Sequence, residues 1–162
     1  MATITTSDLE VVLPKAMKKK IEVEELKGGT EITVLKNVSD LATKVRGTAT
    51  FDGKGVSESP INLKSTKKET PKLVFKNNNY TKSDITISGK GKGIVKTESG
   101  TFNNSKVKGG KKNDSISFGK KATVNKGKFN LDKGNDSITF NKATKFKGKT
   151  TIDLSKGGKD VI

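Results

Sequence analysis

Three aspartates recur in nearly the same phrase near the C-terminus. They are Asp114 in KNDSISF (112–118), Asp136 in GNDSITF (134–140) and Asp160 in GKDVI (158–162), 22 and 24 residues apart. Asp84 in KSDITIS (82–88) shares the pattern. Regularly spaced carboxylates are what a hard cation needs, since Ca²⁺ takes about six to eight oxygens. Asp114, Asp136 and Asp160 are therefore the candidate calcium ligands, and calcium is the only cofactor the pattern admits. One turn aspartate per repeat, beside lysines, is a thin ligand set. The competing expectation is a structural turn residue that offsets nearby lysines.

Lysine is the second group with chemistry to do. The 162 residues carry 33 Lys+Arg against 17 Asp+Glu, a net charge of +16. Residues 1–75 hold 13 against 10, and residues 76–162 hold 20 against 7. Lys108, Lys111, Lys112, Lys120, Lys121, Lys126, Lys128, Lys142, Lys147 and Lys149 form the candidate basic surface. Such a field attracts polyanions in a salt-dependent way. An acidic protein or polysaccharide is the expected partner. Specific nucleic-acid recognition is not expected, because Arg46 is the only arginine and the phenylalanines occupy inward strand positions.

Other chemistries fall away. Without cysteine or histidine there are no disulfides, thiolates or imidazole acid–base groups. Ser105/Lys106 adjacency carries no information among so many serines and lysines. GKGKG (89–93) matches a phosphate loop only in composition, and a turn explains it. The expectation is a protein that is not an enzyme.

The elements that position these residues are strands. In the second half, FNNSKVKGGK (102–111), FGKKATVNKGK (118–128) and FNKATKFKGK (140–149) alternate with the aspartate phrases at a period of about 22 residues, a solenoid signature. Ile116, Phe118 and Val124 are expected inward, stacked on Ile138, Phe140 and Phe146. One coil cannot bury its own apolar face, so stacking supplies the core. At the corner, Asn113, Asn135, Gly134 and Gly158 suit a tight turn, and stacked asparagines suit a ladder.

In the first half, period-2 runs at 21–26 and 30–35 around KGG predict a hairpin. Residues 48–51 and 72–75 predict further strands. Residues 39–45 read as a loop with Leu41 tucked inward or as one helical turn, the loop favoured, and MKKK (17–20) as a solvated approach to a strand in preference to a basic recognition patch. The fold class is all-β: an N-terminal β region with hairpins over 1–75, then a short parallel β-solenoid over 76–162, the two able to form one continuous domain.

GGKKNDSIS (109–117), LDKGNDSIT (131–139) and SKGGKDVI (155–162) resemble the repeats-in-toxin (RTX) nonapeptide Gly-Gly-x-Gly-x-Asp-x-apolar-x. The resemblance implies a calcium-binding β-roll with Asp114, Asp136 and Asp160 as ligands. The departures are physical. Lys112 stands where the third glycine belongs, the period exceeds two nonapeptides, and the region is basic.

These features favour a structural or attachment protein of an extracellular or virion assembly: a decoration protein, fibre or surface module. The rivals are a secreted RTX-like calcium module and a polyanion-binding protein. The N-terminus lacks the pattern of a classical signal peptide, and no run reaches the ~18 apolar residues of a membrane span. Ile162 repeats the register of Ile116 and Ile138. Leu154, Val161 and Ile162 should therefore lie over Phe140 and Phe146 as an apolar layer, facing a second copy, another assembly protein, or the chain's own N-terminal half.

Overall fold

A computed structural model describes residues 1–156 and 158–162. The chain opens with β1 (Ala2–Thr5), β2 (Leu9–Leu13), a 3-10 helix over Lys15–Lys20, and β3 (Ile21–Leu26). The helix replaces the strand approach expected at MKKK. Pro14, at φ −57°, leads into it, and the Met17 N–H donates to the Pro14 carbonyl at 2.9 Å. Met17 is its one apolar anchor on the core, and its lysines point outward.

The remainder winds into a β-solenoid of about six turns. The first three coils each supply three strands. They are β4 (Gly29–Val34), β5 (Val38–Ser39) and β6 (Ala42–Val45); then β7 (Thr48–Gly53), β8 (Val56–Ser57) and β9 (Ile61–Ser65); then β10 (Lys72–Lys76), β11 (Asn78–Thr81) and β12 (Asp84–Gly89). In the next two coils one long strand bends across a corner. These coils are β13 (Ile94–Asn103) with β14 (Lys106–Lys108), and β15 (Ser115–Asn125) with β16 (Lys128–Asn130). The last coil is β17 (Ser137–Phe140), β18 (Lys145–Lys147) and β19 (Thr151–Asp153).

Corresponding strands stack in parallel, which needs near-continuous burial on the inner face. The hairpin of β3 and β4 is antiparallel, as the alternation over 21–35 predicts. β2 also lies antiparallel on β6, so β1–β3 close one end of the stack. Parallel stacking starts at β4, not near Pro71. The compositional boundary between 75 and 76 therefore does not divide the architecture. Residues 39–45 are not a loop but end β5, turn, and form β6; Leu41 is fully buried, as expected.

The inward columns follow from side-chain alternation. Ile116 pairs with Ile138, Phe118 with Phe140, and Val124 with Phe146, the stacking read from the sequence. Two alignments differ from that reading. Phe102 stacks over Val124 on the second face, not in the column of Phe118 and Phe140. Asp84 pairs with Lys106 on the third face, away from the other aspartates. Every face shows the same polar/β-branched alternation, so a phrase alone does not say which face it occupies.

Aromatic rings fill the centre. Phe102 stacks on Tyr80 and Phe129 with centroids 5.8 and 5.5 Å apart, and meets Phe118 edge-on at 5.9 Å. The corner between second and third faces carries one left-handed residue per coil: Asp40, Glu58, Lys82, Asn104, Lys126 and Gly148, with φ between 45° and 65°.

Candidate functional site

Three surfaces concentrate charged or uncovered groups: the aspartate corner, the lysine-lined third face, and the last coil. At the first, the chain folds back from the third face to the first. The Gly93 N–H donates to Asp114 Oδ1 at 2.7 Å and the Gly110 N–H to Oδ2 at 2.6 Å. The Asp114 N–H then donates to Asp136 Oδ1 at 2.6 Å, and the Asp136 N–H to Asp160 Oδ1 at 2.7 Å. The asparagines run a second ladder in the opposite sense. The Asn135 N–H donates to Asn113 Oδ1 at 3.0 Å, and the Lys159 N–H to Asn135 Oδ1 at 2.9 Å. Gly134 fits beside them at φ +136°, where a Cβ would lie 2.7 Å from the Lys112 carbonyl oxygen. Gly158 continues the corner, its N–H donating to the Gly134 carbonyl at 2.6 Å.

Asp114 and Asp136 are 1% and 2% exposed. Burial raises the Asp114 carboxyl above its usual range, against the two glycine N–H groups. Burial likewise pushes Asp136 up to about 6; the Asp114 N–H opposes this, and the Asp114, Asp160 and Asp132 carboxylates add to it. Asp136 Oδ2 is buried with no hydrogen-bond partner.

This corner does not fit calcium. Both Asp114 oxygens, Asp136 Oδ1 and Asp160 Oδ1 accept backbone N–H groups, and among the described residues no three acidic side chains converge where they could hold a cation. Adding millimolar calcium after excess chelator is therefore expected to leave the melting temperature unchanged. A large rise would show native-state binding, and Asp114, Asp136 and Asp160 would be the ligands to substitute.

The GKGKG stretch is part of the same frame. Its Gly93 N–H serves Asp114, and its Gly91 N–H donates to Ser65 Oγ at 3.1 Å. These amides are not free for a phosphate. A serine ladder, unmarked in the sequence, holds the opposite corner. The Leu41, Ser59 and Ser83 N–H groups donate to Ser59, Ser83 and Ser105 Oγ at 3.0, 2.8 and 3.1 Å. Ser105 therefore has a structural partner, while Lys106 points outward to Asp84 at 3.2 Å.

The candidate lysines spread over the solenoid. Lys108 and Lys128 lie on the third face, Lys147 on the second, and Lys120 and Lys121 on the bend of β15; Lys111, Lys112 and Lys142 stand in turns. All ten are exposed, and none has a carboxylate within 4.0 Å among the described residues. Lys126, Lys128 and Lys149 come together with Lys106 along a shallow groove of about 760 Å³. Asn104, Asn130, Thr151 and Asp153 complete its polar lining, and the buried Phe129 lies beneath.

The last coil leaves apolar surface uncovered. Phe146 is 52% exposed, Val161 64% and Ile162 70%, while Phe140, Ile152 and Leu154 are half-buried. Val161 bridges Ser137 in parallel, so Ile162 follows in the register of Ile138. The N-terminal strands cover the opposite end of the stack, so the chain's own N-terminal half is not what covers this coil.

No described helix is long and apolar enough to cross a membrane. No family model, curated protein or solved structure matches the chain.

Proposed function

We propose that this protein is a non-enzymatic structural attachment module of an extracellular or virion assembly, holding an anionic surface or polymer through its lysines. One observation carries this: ten exposed lysines on a continuously hydrogen-bonded frame, none compensated by a carboxylate within 4.0 Å among the described residues. A β-solenoid holds strand-borne charges at nearly constant spacing, which suits a repetitive partner better than a single small molecule. Its core is spent on packing, and the buried polar groups at its corners serve the backbone.

Retention on carboxylated beads over a salt gradient tests the proposal. Retention should fall steeply as salt rises, because screening shortens the reach of exposed charges. Each single Lys→Ala substitution should matter little, at about 0–1 kcal/mol per exposed pair. Either of two triples, K126A/K128A/K149A or K111A/K112A/K120A, should lower retention alike. A single lysine whose loss abolished retention at constant salt would point to a defined pocket and overturn this distributed mechanism.

A further inference from the structure

We infer that the third-face groove binds a linear polyuronate, with the sugar chain running along the solenoid axis; this rests on the attachment function proposed above and names its ligand. Lys106 and Lys128 occupy matched positions in neighbouring parallel strands. Lys126 stands at the left-handed corner of the fifth coil, and Lys149 follows that same corner, Gly148, one coil later. The groove therefore offers positive charge from three successive coils, each about 4.8 Å from the next. That repeat is close to the rise of one sugar in an extended glycan, and a polyuronate carries one carboxylate per sugar. Lys106 is partly offset by Asp84, whereas Lys126, Lys128 and Lys149 have no carboxylate within 4.0 Å among the described residues.

The neutral lining matches the rest of a sugar. Asn104 and Thr151 present amide and hydroxyl groups that suit sugar hydroxyls, and Asp153, oriented by the Asn130 amide that donates to its Oδ2, supplies an acceptor. The Asp153 carboxyl sits below its usual range because the Ser155 hydroxyl and N–H both donate to it, so it stays an ionised acceptor and offsets one of the groove's four lysine charges. A single-stranded nucleic acid is served less well. The ring of Phe129 is buried, so the groove offers no stacking platform, and it contains no arginine.

Oligogalacturonates of increasing length, titrated calorimetrically in calcium-free buffer at physiological salt, test this. Affinity should rise with length until the oligomer spans the three coils, then level off. K126Q/K128Q/K149Q should weaken binding about tenfold or more, with an unchanged melting temperature because these side chains are exposed. K111Q/K112Q/K120Q removes the same charge elsewhere and should leave affinity within about twofold. Equal weakening by both triples, or equal binding of oligothymidylate, would overturn the polyuronate assignment. If oligogalacturonate fails while carboxylated beads still retain the protein, only the ligand assignment falls. If both fail, the attachment function falls with it.

Discussion

Phe102→Ala is expected to lower folding stability by about 3–5 kcal/mol, the usual cost of emptying a buried aromatic site. Phe102 is 1% exposed and touches three rings in the coils on either side of its own: Tyr80 before it, and Phe118 and Phe129 after it. Neighbouring backbones are tied by strand pairing on both sides, through β11 and β15, and cannot collapse into the space. In a solenoid, stability is a sum of coil terms and nearest-neighbour interfaces. The defect therefore weakens the join between the third and fifth coils. Denaturant unfolding should show a lower midpoint and, as coupling fails, a broader or two-step transition. A loss below about 1 kcal/mol would mean that the ring column is not a continuous core.

Asp136→Asn is expected to change how stability depends on pH. The Asp136 pKa is raised in the folded protein to about 6, from a usual value near 3.8. The folded state therefore binds a proton more readily than the unfolded chain between those values. The stabilising effect of this group is complete below about 4 and is lost as pH rises through about 6. Asp114, also raised, acts in the same direction. Asparagine is neutral at every pH and keeps an oxygen to accept the Asp114 N–H. The variant should melt several degrees higher than the parent at pH 8, with the gap closing by pH 4. Calorimetry at fixed ionic strength from pH 4 to 8 measures this; parallel profiles for the two proteins would sink the account.

The later coils were legible in the sequence because their spacing is nearly constant. Ile116, Phe118 and Val124 announce Ile138, Phe140 and Phe146 by repetition alone. The earlier coils hide the same architecture. Thr30, Ala49 and Leu73 share one inward column, but at intervals of 19 and 24 residues and with no common residue type. The chain between β9 and β10, which ends at Pro71, accommodates the longer interval. The serine ladder left no signal because serine is as ordinary on a surface as in a buried corner. Of the ten basic-surface lysines, nothing in the sequence separates Lys126, Lys128 and Lys149 from Lys111 or Lys120. Corner geometry brings the first three together, and with them Lys106, which lies outside the ten. The aspartates were legible as a repeating set. Their role depends on which backbone N–H groups the previous coil turns toward them, and spacing does not encode that.

The left-handed corner column changes sign along its length. Asp40 and Glu58 stand near the end closed by β1–β3, while Lys82 and Lys126 stand farther on. The exposed Glu22, Glu24 and Glu25 of β3 offset the lysines of the 3-10 helix at that end, leaving it nearly neutral against the strongly basic later coils. The molecule is thus an electric dipole laid along its own axis. Near an anionic surface, within roughly a Debye length of about 8 Å, the field exerts a torque before any side chain makes contact. The lysine-rich coils swing toward the surface and the nearly neutral cap swings away. Each molecule would arrive in the same orientation, and the outer face of the resulting layer would be chosen by residues that never touch what lies beneath.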